Sequence, residues 1–174
     1  MKSGRMAMKL WQCSALACLT LLTVAAGPRG PSPTAIFPFS LDDTSLVGEM
    51  QGSNPAQQQR LHALDTQLRD ALTRSGCCTV VDLSPVAQQV SEADLRQCND
   101  CDVALARKVG AKISVFGWVQ KVSNLILNIN LVVHDVATGR VIAAGSVDIR
   151  GNTQESWSRG LSYLLSDRLH PSHW

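Results

Sequence analysis

The 174-residue sequence lacks the residue patterns on which most enzymes depend. No glycine-rich phosphate loop opens a predicted helix, and no serine stands in the strand–turn–helix context of a nucleophile elbow. Internal repeats, low-complexity tracts and basic patches interleaved with aromatic residues are also missing from the sequence. We therefore predict a non-enzymatic protein that uses no cofactor and binds no nucleic acid.

The sequence has little net charge once its N-terminus is set aside. Three of the 16 basic residues lie in the first 26 positions, which leaves 13 basic residues against 14 acidic ones. The mature chain is thus close to neutral, and the slightly basic isoelectric point of the precursor is no sign of a nucleic-acid partner.

The longest apolar run of the chain lies at its N-terminus. A few basic residues precede a mostly apolar stretch, 10–26, that ends in small residues. This order is typical of a secretory signal peptide, here residues 1–26, and the run of about 17 residues is short for a membrane-spanning helix. We expect cleavage near Ala26 and a periplasmic location, with an uncleaved anchor as the alternative.

Cys18 offers a second way to attach the chain to a membrane. A small residue precedes it, as at lipid-modification sites. The stretch has Ala where such sites favour Leu, and a long apolar run follows the cysteine. A lipid anchor at Cys18 is therefore disfavoured, and we expect membrane contact only through the signal peptide or this disfavoured anchor.

Cysteine remains at four positions of the mature chain, namely Cys77, Cys78, Cys98 and Cys101. An even number in an exported chain predicts disulfides, and three pairings are possible. The sequence does not choose among them.

The Cys98-x-x-Cys101 motif has two further interpretations. Asp100 at a helix cap would place Cys101 in the first turn, where the helix dipole favours the thiolate that redox enzymes use. The neighbouring carboxylates oppose this, so a structural disulfide is favoured and thiol–disulfide redox activity is the alternative. A four-cysteine zinc site is disfavoured, because Cys77 and Cys78 are adjacent on a predicted strand and point to opposite faces.

Alternation of apolar and polar residues organises the stretch 110–151. It predicts strands over Lys112–Val122, Leu125–Val133 and Val141–Arg150, joined by tight turns. Asn124 suits the first turn and Gly139 the second, since both tolerate positive φ.

Preceding elements are predicted from caps and periodicity. Thr34–Ser40 is the first strand, which Pro38 confines to an edge or ends. Residues 41–52 have no period and predict a loop. The further predicted elements are a helix from Asn54-Pro55 to Ser75-Gly76, a strand over Cys77–Leu83, a short helix near 84–90, a helix ending at Val109, and a last helix capped by Asn152 with Glu155 in a capping box.

This order predicts one α/β (α+β) domain with a mixed five-stranded sheet and the sequence β-α-β-α-α-β-β-β-α. Residues 27–33 form a proline- and glycine-rich linker, 34–170 the domain and 171–174 a tail.

A polar face of this sheet is the predicted binding surface. The candidate residues are Trp118, Gln120, Asn128 and Asn130 on that face and Ser123 and Asn124 at the hairpin tip. A surface of aromatic and amide groups suits another protein of the cell envelope. Two alternatives stay open: helices cover this face and the amides bond locally, or a small ligand binds in a cleft lined by the 41–52 loop.

Several phrases carry a resemblance to known proteins. Residues 36–39, 106–111 and 131–139 resemble the amino-terminal domain of TolB and the periplasmic part of CsgG-type secretion lipoproteins. More closely, residues 41–46, 117–124 and 146–153 resemble an uncharacterised family of secreted bacterial proteins of the DUF3280/DUF2380 type.

The resemblance implies a TolB N-terminal-like α/β fold and export, and it brings no established activity. The chain has no β-propeller after the domain, unlike TolB. It also lacks the membrane-spanning hairpins of CsgG, so a secretion-pore function is not implied.

Overall fold

The structure is a computed structural model that describes residues 30–52 and 54–174. The predicted signal peptide, the disfavoured anchor at Cys18 and linker residues 27–29 lie outside the described residues. In the described range, no helix combines the length and the apolar character that crossing a membrane requires.

Six strands and five α-helices make up the described part of the chain. The strands are β1 (Ser32–Ile36), β2 (Ser40–Asp43), β3 (Cys78–Val80), β4 (Ile113–Lys121), β5 (Leu127–Asp135) and β6 (Val141–Ile149). The α-helices are α1 (Leu46–Gln51), α2 (Pro55–Arg74), α3 (Ala87–Glu92), α4 (Cys101–Lys108) and α5 (Gln154–Tyr163). A 3₁₀ turn over Ser84–Val86 precedes α3, a π-helical segment over Leu164–Leu169 continues α5, and a 3₁₀ turn over Pro171–His173 follows.

The strands form one mixed sheet in the order β3-β1-β4-β5-β6, with β2 beside β4 on the same side as β1. β1 runs parallel to β3 and β4, as a right-handed crossover through α2 predicts. β4, β5 and β6 are antiparallel neighbours. The prediction of a single α/β domain with a mixed sheet is confirmed.

The number of strands differs from the prediction of five, because an additional short strand, β2, follows the first predicted strand and overlaps it only at Ser40. Phe37 still donates a backbone hydrogen bond to Val115, at 2.9 Å. Pro38 has no N–H to continue the ladder, so the chain leaves β4 and returns to it at Ser40. Pro38 therefore ends a strand, and β1 is not at an edge because strands flank it on both sides.

Three other predictions about element boundaries are wrong. The predicted loop 41–52 contains most of β2 and all of α1. Leu125 lies before β5 and is 71% exposed rather than part of the buried strand face. The capping box of α5 pairs Thr153 with Ser156, because the Thr153 side chain accepts from the Ser156 N–H.

Apolar side chains pack on both faces of the sheet, but they cover one face more completely than the other. On one face, the leucines of α2 and the apolar side of α5, which includes Trp157, pack on β4, β5 and β6. On the other face, α3 and α4 cover Phe37 and Phe116 but leave the β5–β6 side open. Each fully buried large apolar side chain contributes about 1.5–3 kcal/mol. Gln57, near the start of α2, is a polar residue in this covered region and is only 2% exposed.

Candidate functional site

The open face is the uncovered part of the sheet, formed by Trp118, Gln120, Asn128, Asn130, Ser146 and Asp148. Trp118 stands opposite Asn130 in the β4–β5 register, and Gln120 stands opposite Asn128. β6 extends the same rows with Ser146 and Asp148. The structure therefore brings the four predicted strand residues together on one face.

The amides of the open face differ in their hydrogen bonding. Asn128 donates to the Asp148 carboxylate at 2.8 Å and accepts from the Ser146 hydroxyl at 2.9 Å. The Asn130 amide nitrogen is buried and has no hydrogen-bond partner among the described residues. Local bonding thus accounts for Asn128 and not for Asn130.

Ser123 and Asn124 lie at the end of the sheet rather than on the open face. The Ser123 hydroxyl accepts from the backbone N–H of Leu125 and of Ile126, each at 3.2 Å, which fixes the turn. Asn124 accepts from the Asn152 amide at 3.2 Å. The predicted hairpin tip is therefore a structured turn tied to the start of the last helix.

A group of exposed apolar side chains surrounds this tip. The apolar end consists of Leu46, Val47 and Met50 on α1 and Val122, Leu125 and Ile126 on the hairpin. Both halves come together because β2 ends beside β4, where the Thr44 N–H donates to the Lys121 carbonyl at 2.9 Å. This patch was not predicted from the sequence, because the residues of α1 were predicted to be loop.

A buried ion pair joins the two halves of the apolar end. The Lys121 cluster comprises Asp43, Ser45, Gln57 and Lys121. The Lys121 ammonium donates to the Asp43 carboxylate at 2.7 Å, and only 4% of the Lys121 side chain is exposed. Ser45 donates to the same carboxylate at 2.5 Å and, as the N-cap of α1, accepts from the Gly48 N–H. The cluster therefore fixes the start of α1 against the end of β4.

The environment of Asp43 favours its charged form. Burial acts to raise the pKa of Asp43, but hydrogen bonds from Lys121, Ser45 and Gln57 outweigh it and lower the pKa from 3.8 to about 2. A cavity of about 280 Å³ adjoins the pair and is bounded by Asn124, Asn152 and the 41–52 segment. A cavity thus exists at the predicted cleft, and a small ligand there stays a prediction.

A second polar group lies beneath the Cys98–Cys101 loop. The His134 cluster comprises Asp100, Asp102, Ser114 and His134. Asp102, on α4, is 1% exposed and accepts from the Ser114 hydroxyl at 2.5 Å. The same Asp102 oxygen lies 2.8 Å from His134 Nδ1, while Asp100 Oδ1 lies 3.9 Å from His134 Nε2. The Phe116 ring stacks on His134 at a centroid distance of 6.0 Å.

The four cysteines form two pairs, each within a short stretch of the sequence. The Cys98 and Cys101 sulfurs lie at bonding distance, as do those of Cys77 and Cys78. Cys101 is the first residue of α4, as predicted, although in the described chain Asp100 makes no side-chain cap to this helix. Closeness of the sulfurs is compatible with the structural disulfide, whereas redox activity of Cys98 and Cys101 stays a prediction.

Fold and surfaces together define a class: a single-domain α/β protein whose mixed sheet is covered on one face and only partly covered on the other. The chain belongs to the family DUF3280, described as a protein of unknown function (DUF2380), whose model matches residues 32–169. This confirms the family that the sequence phrases predicted. A comparison with curated proteins found no match.

A comparison with solved structures found similar chains. The LpoB C-terminal domain from Salmonella enterica is 22% identical, with 72% of this chain and 87% of that one covered and a TM-score of 0.51. Lipoprotein GNA1162 from Neisseria meningitidis is 16% identical, with 78% and 92% covered and a TM-score of 0.50. TolB from Acinetobacter baumannii is 14% identical, with 80% and 30% covered and a TM-score of 0.42.

Proposed function

We propose that this protein is an exported, non-enzymatic module that binds another protein of the cell envelope, and that the apolar end is the docking surface. The exposure of the apolar end carries the proposal: Met50 is 85% exposed and Leu125 is 71% exposed. Contiguous apolar side chains rimmed by polar ones are characteristic of protein-interaction sites. Burying them against a partner would remove their cost of hydration.

The rigidity of the apolar end supports this role. α1 has only six residues and would not be stable as an isolated helix. The Lys121 cluster and the Ser45 cap hold it beside the hairpin, so the apolar side chains need little further ordering when a partner binds. Such preorganisation lowers the entropic cost of association.

The open face is the second region that the same partner could contact. Trp118 is half-buried there, and tryptophan is enriched among the residues that dominate interface energies. Gln120 immediately precedes Lys121, so the two regions are continuous along β4.

Export is supported by the leader-like N-terminal sequence and by the fold shared with a protein named as a lipoprotein.

Site-specific photo-crosslinking in the native host tests the proposal. A photoreactive amino acid is placed at Leu125 in the apolar end, at Gln120 beside the open face, or at Arg140, an exposed residue in the β5–β6 turn at the opposite end. We expect one discrete adduct from Leu125, a weaker one from Gln120 and none from Arg140. Mass spectrometry would then identify the trapped envelope protein.

A charge substitution supplies the control. Leu125→Asp should reduce the Gln120 adduct at least about tenfold, equivalent to about 1.4 kcal/mol of binding energy. Val141→Asp is the matched variant, because Val141 is also an exposed apolar residue but begins β6 at the opposite end. Equal adducts from Leu125 and Arg140, or a Gln120 adduct that survives Leu125→Asp, would contradict docking at the apolar end.

A further inference from the structure

We propose that the His134 cluster binds a divalent transition-metal ion, with His134 and Asp100 as direct ligands and Asp102 as the group that orients the imidazole. The cluster borders a cavity of about 330 Å³. One oxygen or nitrogen atom from each of Asp100, Asp102 and His134 can be chosen so that all three atoms lie within 4.8 Å of one another. This spacing makes the three residues one compact group, from which the contact between Asp102 and His134 Nδ1 leaves His134 Nε2 and Asp100 as the two ligands.

Asp102 determines which imidazole nitrogen faces the cavity. Its carboxylate is buried, and one of its oxygens accepts from Ser114 while lying 2.8 Å from His134 Nδ1. Because this contact occupies Nδ1, Nε2 is the imidazole nitrogen that is left to coordinate an ion. Ligand histidines in metal sites are commonly oriented by a carboxylate in this way.

The environment of Nε2 is what points to a cation. His134 is only 6% exposed, and no hydrogen bond reaches Nε2 from residues 30–52 or 54–174. The nearest charged group is Asp100 Oδ1 at 3.9 Å, which is too far for a hydrogen bond. Nε2 and Asp100 Oδ1 thus face each other with no hydrogen bond between them, and a bound cation would bridge the gap.

The gap suits an ion of about the size of Zn²⁺. Bonds from zinc to nitrogen and oxygen ligands are about 2.0–2.2 Å, so two ligands of a tetrahedral ion lie about 3.3–3.6 Å apart. The Asp100 side chain is 67% exposed and needs to move by only a fraction of an ångström. Water from the cavity would complete the coordination.

Asp100 has no competing role in the helix that it precedes. An aspartate at an N-cap usually accepts from backbone N–H groups of the first turn. Here the described chain shows no such side-chain bond at α4, and Asp100 adopts a left-handed conformation with φ of 65°. Its carboxylate therefore stays available to an ion beside His134.

The donor set selects the class of ion. Imidazole nitrogen with carboxylate oxygen suits Zn²⁺, Cu²⁺ or Ni²⁺, whereas Ca²⁺ and Mg²⁺ prefer oxygen ligands alone. Phe116 against the imidazole lowers the local polarity and so strengthens the interaction of an ion with its ligands.

Calorimetric titration of the purified, untagged protein with ZnCl₂ tests the site. We expect one Zn²⁺ per chain, at least tenfold weaker binding in Asp100→Asn, and no heat with CaCl₂. Asp70→Asn is the matched control, because Asp70 is exposed to a similar extent on α2. It should bind Zn²⁺ as the parent does.

Thiols are the main competing ligands, so the double variant Cys98→Ser, Cys101→Ser is titrated in parallel and should retain the parent affinity. Absence of Zn²⁺ binding, or equal affinity of the parent and Asp100→Asn, would overturn the proposal and leave His134 as a buried partner of Asp102 alone. His134→Gln should abolish binding, and if this variant fails to fold, Asp100→Asn still decides.

Discussion

The Lys121 cluster and the His134 cluster each contain an aspartate that accepts a hydrogen bond from a serine. They differ in the second side chain that contacts this aspartate. In each, a serine hydroxyl donates at 2.5 Å to an aspartate that the fold has enclosed: Ser45 to Asp43, and Ser114 to Asp102. Asp43 then meets the lysine ammonium of Lys121 at 2.7 Å. Asp102 meets an imidazole, whose other side faces a further carboxylate.

The difference shows how the fold meets the cost of an enclosed carboxylate. A charge removed from water must be paired and hydrogen-bonded, or it destabilises the folded state. At the Lys121 cluster, the chain provides both the carboxylate and the positive charge that balances it. At the His134 cluster, it provides two carboxylates beside one imidazole, and a bound cation would provide the balancing positive charge.

Among the variants considered, replacement of Lys121 should have the largest effect on stability. In Lys121→Met, Asp43 keeps its burial but loses its counter-charge, so we expect the free energy of unfolding to fall by about 3 kcal/mol. Urea denaturation measures the change. Lys112→Met is the control, because Lys112 is exposed one residue before β4 and should stay within about 0.5 kcal/mol of the parent.

A double variant separates lost charge pairing from lost packing. Adding Asp43→Asn to Lys121→Met removes the unpaired charge and should restore at least half of the lost stability, since an ion pair replaced as a whole is often nearly neutral. No recovery would mean that the lysine contributes through its methylene packing instead.

Low pH should also weaken the Lys121 cluster, and we expect the free energy of unfolding to fall by less than in Lys121→Met. The pKa of Asp43 is lowered in the folded state from 3.8 to about 2. Its contribution is therefore fully present above pH 3.8 and is lost as the pH falls towards 2, because the unfolded chain takes up the proton first. The shift corresponds to about 2 kcal/mol. Unfolding experiments from pH 6 to 2 should show this loss in the parent and not in Asp43→Asn; parallel curves would contradict it.

Local patterns predicted the centre of the fold. Period-two alternation found β4, β5 and β6 to within two residues, and the spacing of leucines with Asn54-Pro55 found α2. β2 and α1 were missed because they have four and six residues and owe their structure to pairing with β4 and to the Lys121 cluster. No local period marks such elements.

The site residues were predictable where the alternation within a strand was enough. It placed Trp118 and Gln120 on one face of β4, and Asn128 and Asn130 on one face of β5. The register between the two strands brings these residues together. The burial of Lys121 could have been predicted, because Lys121 is two residues after Val119 and so lies on the same buried face of β4. A buried lysine in turn predicts an acidic partner. The contact of Asp102 with His134 spans 32 residues and depends on how α4 crosses the sheet, which no spacing in the sequence encodes.

The two serines should give the smallest and sharpest test of the comparison. Ser45→Ala removes a helix cap and one hydrogen bond, but Asp43 keeps Lys121 and Gln57, so we expect a loss of about 1 kcal/mol. Ser114→Ala leaves Asp102 with the imidazole of His134 as its sole side-chain partner in the described chain, so we expect about 2 kcal/mol.

Denaturation of both variants beside Ser91→Ala, which alters an exposed hydroxyl, measures a difference of about 1 kcal/mol between the two sites. The order is the decisive result, because it depends on which carboxylate has a fixed positive partner. If Ser45→Ala were the more damaging change, the lysine would not be compensating for the lost hydroxyl, and the two clusters would not differ in the way that their charges indicate. If Zn²⁺ reduced the cost of Ser114→Ala, the ion would be supplying at Asp102 the positive charge that Lys121 supplies at Asp43.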